Sequence, residues 1–364
     1  VRRRRMTPGE KANALGAITT TLDLSGFESI PFVIEAVVEK LEVKQTVFSE
    51  LEDVVNESAI LATNTSSLSI TEIQRGLRRP ERVVGLHFFN PVDRMLLVEI
   101  IRGERTSDEA VHAAEAFARR LDKIPVRVGD GPGFLVNRLL APYLNESVRL
   151  YEEGYSPVEI DKAMRHFGMP MGPFELLDEV GLDVAAHVSG VLHKAFGERA
   201  RPPLSLDKLL ADPELRGKKT GKGFYVHRKR GKKRPNAVVL RMSGRTVKEA
   251  LPSDPDLWVR RLIYPMVDEA ARALEEGIVR HPAEVDLAMV LGTGFAPFRG
   301  GPLRYADSVG VAKIASALRD LREPRLAPSA YLSEIAERHG KFYDEASIRA
   351  PVEVSGGTLE GTRS

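Results

Sequence analysis

The sequence predicts an α/β sheet followed by an all-α part made of two related units, and three observations carry that prediction. Over the first 130 residues, short apolar runs alternate with amphipathic stretches, the strand-helix-strand order of a doubly wound sheet. Gly129-Asp130-Gly131-Pro132-Gly133 then interrupts the chain, because three glycines and a proline continue neither a strand nor a helix. Beyond Phe134 the pattern is helical, and one long segment occurs twice.

Residues 8–18 read as a helix tail. Phe32 to Val38 reads as a fully apolar strand of the kind found inside a parallel sheet. Glu42 to Val55 sets Val43, Val47, Phe48, Leu51 and Val55 on one helical face. Ile60 to Thr63 is the next strand, and Leu68 to Gly76 a short helix opened by Ser66 or Ser67. Val83 to Phe89 and Met95 to Ile101 are apolar strands joined by the turn Asn90-Pro91-Val92-Asp93. The helix Asp108 to Leu121 and the strand Ile124 to Val128 finish the sheet.

A helix then runs from Phe134 through Glu153, with Leu135, Leu139, Leu140, Tyr143 and Leu144 as its buried stripe. The first copy of the repeat reads VNRLLAPYLNESVRLYEEG from Val136, EIDKAM from Glu159 and GPFELLDEVG from Gly172. The second reads VRRLIYPMVDEAARALEEG from Val259, EVDLAM from Glu284 and GPLRYADSVG from Gly301. Two copies with the same punctuation imply duplication and packing of one copy on the other. Asn137 is matched by Arg260, so any chemistry that Asn137 performs is absent from the second copy. Between the copies, GKKTGKGFYVH reads as a turn and an extended arm, and RKRGKKRPN as a solvated basic linker. After Val352 the chain is polar and Gly-rich, which reads as disorder.

Composition narrows the function. Apolar content of 43% and charged content of 29% are those of a globular protein, and 364 residues suffice for two or three cores. A formal charge of +2 gives no overall case for nucleic acid, and no apolar run is long enough to span a bilayer. The absence of cysteine removes thiolate chemistry and disulfides, and fits a reducing compartment, the cytoplasm. The basic start VRRRRM reads as a solvated helix end rather than a targeting segment. No histidine-carboxylate pattern suggests a metal site.

The candidate catalytic pair is His87 and Glu99. Alternation and the short turn bring the imidazole and the carboxylate side by side on adjacent strands. A histidine held by a carboxylate is fixed in one tautomer and made a better base. The alternative is a partly buried histidine with a hydrogen-bonded neighbour. Of the remaining histidines, His112, His166, His187, His193, His281 and His339 fall on or near predicted helices, and His227 borders the basic linker. Ser66 follows a strand on the side where open α/β sheets bind ligands, and a helix cap is its structural alternative.

NTSSLSI, GLHFFNPV followed by LVEII, and PGFLVNRLLAPYLNE, in this order, resemble the 3-hydroxyacyl-CoA dehydrogenase family, over about Leu22 to Pro351. The likeness is to the long multifunctional fatty-acid oxidation enzymes more than to the short dehydrogenase. It implies a Rossmann-type domain over residues 1–130, a helical domain over 131–227, a linker over 228–255, a second helical domain over 256–352 and a tail over 353–364. It also implies NAD-dependent oxidation of (3S)-3-hydroxyacyl-CoA to 3-oxoacyl-CoA, with His87 as base and Glu99 as its partner. Ser66 and Asn137 match family positions that bind the substrate, and Glu39, Lys44, Asn64 and Asn90 match positions that contact NAD. From the residues alone, Glu39 is a helix-start acid and Lys44 a surface lysine. The implied partners are an acyl-CoA thioester and either a thiolase subunit or further copies of the chain.

One part of the family pattern is missing. No G-x-G-x-x-G lies between Val1 and Ile60, so the turn that binds a pyrophosphate is not in this sequence. The expectation is an incomplete Rossmann-type sheet with an open edge at the strand Phe32 to Val38. The chain then reads as the C-terminal part of a longer polypeptide or as a shortened copy. Two functions follow, the dehydrogenase itself or an inactive remnant or interaction module that keeps the substrate side of the fold.

Overall fold

A computed structural model of the chain describes residues 6–228, 233–242, 254 and 256–344. The expectations for the basic start, for most of the linker and for the tail fall outside these residues.

Five strands form one sheet in chain order: β1 (Phe32–Glu35), β2 (Ile60–Thr63), β3 (Val83–Phe88), β4 (Leu97–Arg102) and β5 (Ile124–Gly129). The first three are mutually parallel, β4 and β5 are parallel, and β3 meets β4 antiparallel. That reversal follows from the short connection between β3 and β4, since a parallel pair would need a long crossover.

Side-chain alternation divides the sheet into two faces. Val84, Leu86, Val98 and Ile100 pack against Ala110, Val111, Ala114 and Ala118 of helix α4 (Asp108–Arg120). Val83, Leu97 and Ile101 belong to the larger core shared with the other helices, and His87 and Glu99 share that face by their odd positions.

The helices of this part are α1 (Pro8–Gly16), α2 (Leu41–Val54), α3 (Ile70–Gln74) and α4 (Asp108–Arg120). Helix α1 is closed by a Thr7–Glu10 capping box but buries nothing, and Leu15, Ile18 and Leu22 stand exposed. α4 is capped by Ser107, with acids in its first turn and arginines in its last, which complements the helix dipole. α3 is capped by Ser69, whose hydroxyl accepts the Glu72 amide at 3.1 Å. This corrects the assignment of the cap to Ser66 or Ser67. The reason is Glu39, which engages both of those serines.

β1 is shorter than predicted and not fully buried. It stops at Glu35, and Ile34, Val37 and Val38 are exposed, because β2 is its only neighbour among the described strands.

The helical part contains α5 (Val136–Glu152), α6 (Pro157–Phe167), α7 (Pro173–Val180), α8 (Leu182–Phe196) and α9 (Leu204–Leu210). After the hairpin β6 (Tyr225–Val226) and β7 (Arg234–Pro235) come α10 (Ala237–Met242), α11 (Leu257–Glu275), α12 (Pro282–Thr293), α13 (Pro302–Val309), α14 (Val311–Asp320) and α15 (Ala330–Glu337). Arg234 and Pro235 are therefore strand rather than linker, and the Lys233 ammonium pairs with Glu175.

The duplication is visible in detail. α5 and α11 pack on each other at the centre of the helical part and carry Pro142 and Pro265 at matching places. Each copy is closed by a Phe-Tyr arm. In the first, the amides of Phe224 and Tyr225 each donate to Asp178 at 2.8 Å, and the Tyr225 hydroxyl donates to Asp161 at 2.6 Å. In the second, Phe342 and Tyr343 donate to Asp307 at 2.8 and 3.2 Å, and the Tyr343 hydroxyl to Asp286 at 2.7 Å.

Candidate active site

His87 and Glu99 are direct cross-strand partners in the β3–β4 ladder. Nδ1 of His87 lies 2.7 Å from Oε2 of Glu99, with the histidine 6% exposed and the glutamate fully buried. The other carboxylate oxygen, Oε1, accepts the backbone amides of Leu135 and Val136 at 3.2 and 2.9 Å. A buried carboxylate needs such donors, and here the start of α5 supplies them. With Glu99 as acceptor, the hydrogen bond places the proton on Nδ1 and leaves the Nε2 lone pair free. The rings of Phe89 and Phe134 flank the imidazole at 4.6 and 5.7 Å between centroids.

The loop after β2 forms a second cluster. Asn64 accepts the Phe88 amide through Oδ1 at 3.1 Å, which ties this loop to the end of β3. Ser66 is exposed, and its carbonyl accepts Nδ2 of half-buried Asn137 at 3.4 Å. Oε1 of Glu39 accepts the Thr65 hydroxyl at 2.6 Å and the Ser66 and Ser67 amides at 2.9 and 3.2 Å. Burial pulls the Glu39 carboxyl upward, but the Thr65 hydroxyl, the Ser66 amide and the Lys44 ammonium outweigh it and hold it below the usual range.

Lys44 is not a surface residue. Its side chain is fully buried, with Nζ 2.8 and 3.0 Å from the two Glu35 oxygens and 3.4 Å from Glu39. It neutralises Glu35 at the end of β1 and steadies Glu39. Asn90, the remaining cofactor candidate, is exposed at the cis Asn90–Pro91 peptide. The structure thus gathers His87, Glu99 and the amides of Leu135 and Val136 at one point, and Glu39, Lys44, Ser66 and Asn137 along a chain of contacts beside β2. Sequence reading missed the two amides, Thr65 and Glu35. Only Glu35 left a signal, as a lone acid inside an apolar strand.

The fold defines a class of protein, a Rossmann-like α/β domain followed by a helical C-terminal part. Residues 1–131 match the family model described as the 3-hydroxyacyl-CoA dehydrogenase NAD binding domain, and residues 133–227 and 258–342 match its C-terminal domain. The chain belongs to the 3-hydroxyacyl-CoA dehydrogenase family. It is 42% identical over 348 residues to the fatty acid oxidation complex subunit alpha of Shewanella loihica, a match covering 94% of this chain and 49% of that protein. It is also similar to a 3-hydroxybutyryl-CoA dehydrogenase from Escherichia coli, at a TM-score of 0.82 and 29% identity over 93% of this chain and 88% of that one. A third likeness is to the dehydrogenase part of multifunctional enzyme 1 from C. elegans, with a TM-score of 0.65, 31% identity, and 91% and 77% coverage. The chain spans about half the length of the curated relatives it matches.

NAD is the cofactor of the family, and the residues present fit one half of it. Glu39 and Asn64 follow the C-terminal ends of β1 and β2, where open α/β sheets take their ligands. The glycine turn that would hold the pyrophosphate is not in this sequence.

Proposed function

We propose that the chain carries the dehydrogenase step of fatty-acid oxidation, converting (3S)-3-hydroxyacyl-CoA to 3-oxoacyl-CoA. When bound, NAD supplies the acceptor for the hydride from C3. Nε2 of His87 takes the hydroxyl proton, and Glu99 stabilises the imidazolium that forms. Asn137 and Ser66 orient the substrate across the junction between the sheet and the first helical copy, and Glu39, Asn64 and Asn90 hold the nicotinamide side. Lys44 acts through Glu39. The observation that carries this reading is the buried 2.7 Å contact between His87 and Glu99, with the second carboxylate oxygen held by the start of α5.

We place the α/β unit at residues 1–130 and the helical copies at 131–227 and 256–352. The cytoplasm is the compartment this reading assigns, with a thiolase subunit or a further copy of the chain as partner. The second function, a fold without turnover, draws on the missing glycine turn.

Acetoacetyl-CoA reduction by the purified chain with NADH separates the two. Turnover that disappears in His87→Gln, with the melting temperature nearly unchanged, supports the first reading. A rate equal to wild type in that variant removes His87 from the mechanism. No NADH binding by an otherwise folded chain favours the second function.

A further inference from the structure

We infer that Glu269 and Glu276, in the second helical copy, are positioning residues for the dyad of the first. The inference rests on the reading of His87 and Glu99 proposed above. Glu99 is held by the amides of Leu135 and Val136, at the start of α5. Arg138 lies in the same turn and is 2% exposed. Its backbone amide donates to the Gly133 carbonyl at 3.1 Å, which closes a turn where Gly133 and Phe134 both take positive φ, at 72° and 50°. The place of the Arg138 side chain therefore fixes the place of the two amides and of Asn137.

The hydrogen bonds of that guanidinium all come from the other copy. Nε of Arg138 lies 2.6 Å from Oε1 of Glu269, and its two terminal nitrogens lie 2.7 and 3.0 Å from the two oxygens of Glu276. Arg199 takes the second oxygen of Glu269 at 2.6 Å, and both guanidiniums stack on Phe196, at 4.6 and 4.2 Å from its centroid. A bidentate arginine-carboxylate pair constrains direction as well as distance, so it can transmit position where a lysine contact would not.

The molecule contains its own control. Arg261, at the matching place in α11, is held by Glu146 and Glu153 of the first copy at 2.8 Å each, and Arg325 joins at 2.9 Å from Glu146. Both networks hold a buried arginine between two carboxylates of the other copy, with a second arginine on one of them. Only the Arg138 network abuts the dyad, because Glu99 is held at the start of α5, whereas in the second copy Arg260 replaces Asn137 and pairs with Asp254.

The test compares Glu269→Gln/Glu276→Gln with the mirror pair Glu146→Gln/Glu153→Gln in the full chain, by amide hydrogen exchange and by steady-state kinetics. The first pair is expected to accelerate exchange at Leu135 and Val136 and to lower kcat about tenfold to a hundredfold with little change in KM. The mirror pair is expected to lower the melting temperature by a similar amount while leaving those two amides and kcat as in wild type. If a double variant does not fold, Glu276→Gln against Glu153→Gln repeats the comparison at two half-exposed side chains. Exchange at Leu135 and Val136 that is unmoved by the first pair, or raised equally by both, overturns the inference. A wild-type chain that turns over no 3-oxoacyl-CoA would remove the proposed function, and the exchange comparison would still decide the positioning.

Discussion

Glu99 has both oxygens engaged, one by the His87 ring and one by two backbone amides, and this makes Glu99→Gln an informative variant. The amides of Leu135 and Val136 donate and so require the carboxamide oxygen, which leaves the NH2 facing His87. Nδ1 then becomes the acceptor and the ring proton moves to Nε2, which removes the base without disturbing the fold. We expect kcat to fall by on the order of 10³ to 10⁴, the scale seen when a buried partner imposes the wrong histidine tautomer. Histidine NMR should report the switched tautomer, and an Nδ1 proton retained in the variant would contradict the argument. The pair was legible in the sequence because period-2 alternation and a short turn suffice to place two side chains across a ladder. Lys44 was not legible, since only the structure shows the Glu35 carboxylate that draws its ammonium inside.

At the scale of elements, the two Phe-Tyr arms lock each helical copy through buried aspartates. Burial pushes Asp161 up to about 7, against the Tyr225 hydroxyl and the Phe174 amide, which pull it down. Burial likewise pushes Asp286 up to about 6, against the Tyr343 hydroxyl and the Leu303 and Arg304 amides. Both values exceed that of an unfolded aspartate, about 3.9. Each group therefore contributes stability that is fully present below about pH 4 and is lost as pH rises through its folded value. Asp161→Asn should be less stable than wild type at pH 5, where its acceptor geometry is compromised, and the gap in melting temperature should narrow by pH 8. A gap that is constant or widens between these pH values refutes this prediction. The sequence showed the arm as an extended segment and the repeat as a repeat. It did not show which acid the arm meets, because Asp178 and Tyr225 are 47 residues apart and meet only through the packing of α7.

At the scale of the molecule, the copies are joined by more than the arginine networks, and the exchange is again reciprocal. The end of α6 in the first copy sits under the loop that follows α12 in the second. Arg299 donates from Nε to the Phe167 carbonyl at 2.9 Å and stacks on the Phe167 ring at 4.2 Å. A Cβ on Gly168 would lie 2.6 Å from Phe298 and 2.8 Å from Ala296, and one on Gly294 would lie 2.6 Å from Pro170. Gly168 also holds φ at 118°, which side chains with a Cβ rarely adopt. The alignment of the copies exposed their relationship, but the pairing of one copy's arginines with the other's acids needs the packing of α5 on α11. A chain joined this way should melt its two copies together. Gly168→Ala should cost about 2 kcal/mol or more from backbone strain and overlap, and shift a single transition downward by about 2–4 °C for each kcal/mol. Calorimetry that resolves two helical transitions, with only the first moved by Gly168→Ala, would show that the copies fold independently. The second copy could not then act as a fixed anchor for the start of α5.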